Sequence, residues 1–164
     1  MTGWLARPLL LLCLTLLVLA NSVQARDFTG KVVGVSDGDT INVLHNGKAE
    51  RIRLSGIDCP EKGQAFGQRA KQLTSALVFG KDVTVQVLGH DKYGRTIGEV
   101  TLLDGRVLNH ELVRAGLAWW YRKYAPMDAT LERFEAEARN VKRGMWVDPN
   151  PVPPWEWRKK KVLQ

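Results

Sequence analysis

Two cysteines occur in the 164-residue chain, and one of them, Cys13, sits inside an apolar N-terminal run, which leaves Cys59 alone in the remainder. A lone thiol excludes an internal disulfide framework there. Proline is as scarce, limited to Pro8, Pro60 and Pro126 until the run Pro149-Asn150-Pro151-Val152-Pro153-Pro154. The longest apolar stretch, Leu9 to Ala20, is too short for a comfortable membrane span, and no internal repeat is visible. Three histidines, His45, His90 and His110, fall in no metal or triad spacing and read as structural or surface residues. HExxH, P-loop and nucleophile-elbow patterns are all missing, so zinc hydrolysis, NTP hydrolysis and serine esterase chemistry have no support.

What is present begins with charge. There are 24 Lys and Arg against 17 Asp and Glu, a net of +7, with 45% hydrophobic residues. That balance fits one domain with a real core and points toward polyanionic partners. Residues 1–25, with Arg7, the Leu9–Ala20 run and the ending Val23-Gln24-Ala25, have the form of a secretory signal peptide cut after Ala25. An uncleaved anchor is the alternative. Cleavage implies export, to the periplasm or the medium, with no stable membrane insertion of the mature chain. The loss of one base, Arg7, from 24 leaves 23 against 17, so the basicity belongs to the domain at 26–147. The segment 148–164 shifts to an extended Pro/Trp/Lys tail, in which Arg158 to Lys161 reads as a solvated charge run or as a docking element for acidic polymers.

Within the domain, β-like stretches at Gly30–Val35, Thr40–Leu44 and Ala49–Ile57 are separated by the turn signals Asp37-Gly38 and Asn46-Gly47. Phe66, Ala70, Leu73 and Leu77 mark an amphipathic helix stopped at Gly80. Val83, Val85 and Val87 alternate as a half-buried strand, and a turn at Lys92-Tyr93-Gly94 leads to another at Thr96–Leu103. A short helix near Val107–Ala115 follows. A last one is capped by Asp128, buries Leu131, Phe134, Ala138 and Val141, and stops at Gly144. The expected fold is α+β, mainly β: a five-stranded Greek-key barrel of the OB type with about three helices.

Two acidic clusters stand out, Asp37-Gly38-Asp39-Thr40 and Asp58-Cys59-Pro60-Glu61. The first is compatible with a plain hairpin turn, and its continuation lacks the glycine and glutamate of an EF-hand. Alternation places Arg51 and Arg53 on one strand face and Ile52 and Leu54 on the other. Arg95 lies in a hairpin, Asp91-Lys92-Tyr93-Gly94-Arg95, which such a barrel brings toward the same end.

The segments SDGDT, RLSGIDCPE, DKYGR and NHELVRAGLAWW, in this order and spacing, closely resemble the staphylococcal nuclease (thermonuclease) family over roughly residues 28–146. The resemblance implies an OB-type barrel and a calcium-dependent phosphodiesterase acting on DNA and RNA. It assigns Asp39, Asp58 and the backbone carbonyl of Cys59 as ligands of one Ca2+ ion, with Asp37 behind them setting charge and geometry. Cys59 stands where the family often has Thr, a change that a main-chain ligand tolerates. Glu61 matches the general base or water-positioning group, and Arg53 and Arg95 match the phosphate-binding arginines. Their planar forks suit two oxygens at once. Lys92, Tyr93 and Tyr124 are the candidate substrate contacts, through charge and base stacking.

The sequence departs from the family pattern in two places. Alignment on Pro126 puts Arg122 at one of two tyrosine positions, and Lys62-Gly63-Gln64-Ala65 is shorter than the corresponding mobile loop. Trp119 and Trp120 read equally as packing residues or as base-stacking ones. The rival function is a noncatalytic OB-fold module binding nucleic acid through the same groove. Retention of Asp39, Asp58, Glu61, Arg53 and Arg95 favours catalysis. No obligate protein partner is implied, and a monomer is expected.

Overall fold

A computed structural model describes residues 27–162; the expected signal peptide lies outside them. Five strands close into a barrel: β1 (Phe28–Asp37), β2 (Thr40–His45), β3 (Lys48–Leu54), β5 (Asp82–His90) and β6 (Thr96–Leu102). Their order, β1-β2-β3-β6-β5, with β5 returning to β1, is that of the OB fold. Among the described residues only the β3–β6 pair is parallel, with Ile52 opposite Thr96 and Arg53 opposite Ile97. The expected third stretch is divided: β3 ends at Leu54, and Ile57–Asp58 forms a separate strand, β4, paired with β7 (Trp119–Trp120).

Alternation drives barrel closure. Val83, Val85, Val100, Val32, Val43, Ile41 and Ile52 point inward and are buried, while Thr84 and Gln86 face solvent. Helix α1 (Gly67–Val78) covers one part of the barrel with Ala70 and Val78, and α2 (Leu108–Arg114) another with Leu108, Leu112 and Val113. Helix α3 (Ala129–Asn140) starts at Asp128, whose carboxylate accepts from the N–H groups of Thr130 and Leu131. It ends earlier than the periodicity suggests. The backbone turns left-handed at Lys142 (φ 50°), and Val141 is exposed instead of joining the apolar face.

The segment expected to be extended carries a fourth helix, α4 (Pro154–Val162). The physical reason is positional: proline breaks a helix interior but suits its first turn, where its missing N–H has no intrahelical role. A small second core of Trp119, Ala138, Met145 and Trp146 forms at this end, with Phe66 and Trp155 packed against it. Among the described residues no helix is long and apolar enough to cross a membrane.

Candidate active site

The β1–β2 turn places the first acids. Asp37 and Thr40 are paired, Gly38 and Asp39 form the tip, and the Asp39 N–H donates to Asp37 Oδ1 at 3.3 Å. Gly38 is required by space. A Cβ there would lie 2.7 Å from Ala70 Cβ and 2.8 Å from Cys59 Sγ, so the turn is clamped between α1 and the chain leaving β4. Thr74 Oγ1 donates to the Gly38 carbonyl at 2.5 Å, which ties the tip to α1.

The second acid arrives on β4, where Asp58 lies opposite Trp119 and is almost wholly buried. The Cys59 N–H donates to Asp39 Oδ2 at 2.6 Å, joining the two acidic segments. Arg53, on β3, then bridges both carboxylates, with Nη1 2.6 Å from Asp39 Oδ2 and Nη2 2.7 Å from Asp58 Oδ1. Its side chain is only 16% exposed. Such a fork needs the planar, multi-donor geometry of guanidinium.

Electrostatics follow from this crowding. Burial, then the neighbouring Asp39 charge, pushes the Asp37 carboxyl up to about 6. Burial also holds Asp58 above the usual carboxylate range, against hydrogen bonding by Arg158 and the charge of Arg53. Burial raises the Cys59 thiol well above its ordinary value, so it stays protonated near neutrality. Cys59 is free and buried, which removes the adventitious dimerisation an exposed thiol would permit.

The donor chemistry fits a hard cation: carboxylate oxygens, a protonated thiol and backbone carbonyls, with no imidazole among them. Among the described residues, however, no group of three or more His, Cys, Asp or Glu side chains is gathered as a metal cage. The carboxylates of Asp39 and Asp58 are turned to guanidinium groups instead.

Glu61 follows Pro60 and has a half-exposed side chain; its N–H donates to Gln64 Oε1 at 3.1 Å. Arg95 precedes Thr96, the residue opposite Ile52, so the parallel β3–β6 register sets it at the start of β6, level with Arg51 and two positions along β3 from Arg53. Its guanidinium is held by Asp91 Oδ2 at 2.7 Å, and Asp91 also accepts from the N–H groups of Tyr93 and Arg95. Arg95 is thus positioned by its own hairpin and makes no direct contact with Asp58 or Glu61. Tyr93 is 73% exposed, with Lys92 Nζ 5.0 Å from its ring centre. Tyr124 is 68% exposed and lies edge-on to Tyr121.

Arg122, standing where the family pattern has tyrosine, packs over the Trp120 ring and pairs with buried Glu135 at 2.8 Å. Glu135 Oε1 also accepts from the Trp120 N–H. Arg122 therefore has a structural role, and Trp119 and Trp120 are both buried packing residues.

The sequence did not signal one participant. Arg158, on α4, places Nη2 2.8 Å from Asp58 Oδ2 and Nη1 2.6 Å from Glu61 Oε1. It stands in a basic run with no local pattern to set it apart from Lys159 and Lys160.

A closed OB barrel with buried acids and an arginine fork on one rim defines a class of small barrel proteins suited to phosphate chemistry. Residues 51–148 match the family described as "Staphylococcal nuclease homologue". An "Uncharacterized endonuclease" of Escherichia coli O157:H7 is 47% identical over 148 residues, covering 90% of this chain and 96% of the relative. A "Micrococcal nuclease" of Shigella flexneri is 46% identical over 154 residues, covering 87% of each. A "Staphylococcal-like nuclease" of Arabidopsis thaliana is 41% identical over 114 residues, 70% of this chain and 35% of that protein. The chain belongs to the staphylococcal nuclease family.

Proposed function

We propose that the protein is a calcium-dependent endonuclease, cutting phosphodiester bonds in DNA and RNA with little sequence preference, exported by its first 25 residues and active as a monomer. The observation that carries this reading is the Arg53 fork across Asp39 and Asp58, at 2.6 and 2.7 Å, with Glu61 three residues beyond Asp58.

Asp39, Asp58 and the Cys59 carbonyl would hold the ion, with Asp37 adjusting the charge behind them. When bound, the ion supplies Lewis-acid polarisation of a phosphate oxygen and steadies the attacking water. Glu61 orients that water and takes its proton as the oxygen attacks phosphorus, while the P–O bond to one sugar breaks and the leaving sugar oxygen takes up a proton from solvent. Arg53 retains further N–H donors beyond those facing the two acids, and with Arg95 it offsets the charge that grows on the phosphorus-bound oxygens. Tyr93 and Tyr124 offer exposed rings for unpaired bases, and Lys92 offers charge to the backbone. None of these contacts reads a base edge, in keeping with weak sequence preference.

The test is incubation of the purified protein with single- and double-stranded DNA and with RNA, in calcium, magnesium or chelator, beside Glu61→Ala. Calcium-dependent cleavage is expected, with a loss of about 10²–10⁴-fold in the folded variant. Tight nucleic-acid binding without cleavage in any metal would replace this reading with the noncatalytic module.

A further inference from the structure

Helix α4 delivers a cation into the candidate site. Arg158 contacts Asp58 through Nη2 to Oδ2 at 2.8 Å and Nη1 to Oδ1 at 3.2 Å, and Glu61 through Nη1 to Oε1 at 2.6 Å. Arg53 reaches Asp58 Oδ1 from the other side. Both oxygens of Asp58 therefore face guanidinium nitrogens, and the carboxylate assigned to water activation accepts a charge-assisted bond.

Separate contacts hold the helix in place. Trp155 stacks on Tyr121 with ring centres 4.8 Å apart and planes 10° from parallel, and meets Trp119 edge-on at 5.6 Å. Gln64 Nε2 donates to the Val152 carbonyl at 2.5 Å, while Gln64 Oε1 accepts from the Glu61 N–H. One side chain thus ties the tail to the segment that carries the candidate base. Among the described residues the buried Trp157 indole N–H meets no hydrogen-bond partner, a cost that the seated helix bears.

Charge supplies the reason for the fit. Arg53 pairs with Asp39 and Asp58, and Arg158 offsets the charge of Asp58 and Glu61 as a divalent cation would. With Arg158 seated, both Asp58 oxygens and Glu61 Oε1 already accept from guanidinium nitrogens, so it competes with an entering metal ion for the same acceptor oxygens.

We propose that Arg158 is a resident cation of the active site, pinned by the Trp155–Tyr121 stack, and that it must leave Asp58 and Glu61 before metal and phosphate can enter, which makes α4 an autoinhibitory strap. The inference rests on the nuclease reading above. A site open in only a fraction of molecules shows an apparent dissociation constant raised by the inverse of that fraction. With a side chain 45% exposed, Arg158 holds on at the strength of a partly screened pair, which corresponds to a shift of about tenfold.

The test is calcium titration calorimetry on the full chain without nucleic acid, comparing the parent with Arg158→Gln, Trp155→Ala and, as a charge control, Lys160→Gln. Urea midpoints check that each variant folds. The expected result is calcium binding about tenfold tighter in Arg158→Gln and also tighter in Trp155→Ala, with Lys160→Gln unchanged. Cleavage should be faster in the first two at limiting calcium and converge with the parent at saturation.

Unchanged or weaker calcium affinity in folded Arg158→Gln overturns the proposal. So does lost cleavage at unaltered affinity, which would make Arg158 part of phosphate binding. Should Arg158→Gln not fold, Trp155→Ala decides by the same readings. Failure of the parent and every variant to bind calcium overturns it as well, and the nuclease reading is then judged separately by cleavage in the other metals.

Discussion

At the scale of single residues, Arg53 lies between two buried carboxylates that repel each other without it. Arg53→Ala is expected to destabilise the protein by about 3 kcal/mol near neutral pH, because the buried Asp39 loses its cation while Asp58 keeps Arg158. Arg53→Lys should recover part of that stability and little activity, since one ammonium cannot span Asp39 and Asp58 as a fork does. Urea denaturation and cleavage rates on the two variants separate these effects. Asp37 makes a prediction of opposite sign. With its folded pKa at about 6, above the ordinary 3.8, the folded protein holds a proton that the unfolded chain has already released. Its contribution to stability is present below about pH 4 and is lost as pH rises through about 6. In metal-free buffer Asp37→Asn should therefore melt above the parent at pH 7.5 and lose that advantage at pH 4, as read by thermal denaturation at both values.

At the scale of elements, the start of α1 fixes the Glu61 segment. Gly67 N–H donates to the Gln64 carbonyl at 3.0 Å and the Gln64 N–H to the Glu61 carbonyl at 2.8 Å, and a Cβ on Gly67 would fall 1.9 Å from that same Glu61 oxygen. Gly67→Ala must therefore move either the helix or Glu61. A loss of about 2 kcal/mol is expected in urea denaturation. Cleavage should fall more than tenfold in molecules that remain folded, because small displacements of a catalytic group are costly. A variant with parental rates would show that Glu61 does not need this position. The β4–β7 pair works in the same way: it carries Asp58 beside Trp119 and links the site to the second core, on which Trp155 also rests.

At the scale of the whole molecule, a net charge of +7 describes attraction to a polyanion more than any single contact does. Single-stranded DNA binding by full-length Glu61→Gln in chelator should weaken linearly on a log–log plot against salt. A slope of about −2 to −3 corresponds to three or four phosphate contacts, and Arg95→Ala should reduce it by about 0.7. A slope near zero would mean that the basic surface is not where nucleic acid binds. Fluorescence anisotropy with a labelled oligonucleotide gives both values.

Much of the barrel was legible in the sequence because its signals are local. Val83, Val85 and Val87 alternate, Asp37-Gly38 and Asn46-Gly47 turn, and Asp128 caps α3 through N–H groups two and three residues away. The acidic segments and the arginines could be named from motif spacing for the same reason. What the sequence could not convey depends on chain closure over long separations. Arg53 meets Asp39 and Asp58 only once β2, β3 and β4 are folded together. The end of α3 before Val141 is set by a left-handed turn at Lys142 that no side-chain period announces. Arg158 lies 97 residues from Glu61 and 100 from Asp58, in a run of like charges where composition points to solvent. Composition and periodicity determined that this chain forms a basic barrel with acids and arginines at its turns. The tertiary structure alone decided which cation those acids hold, because an ion pair depends on where two distant segments come to rest.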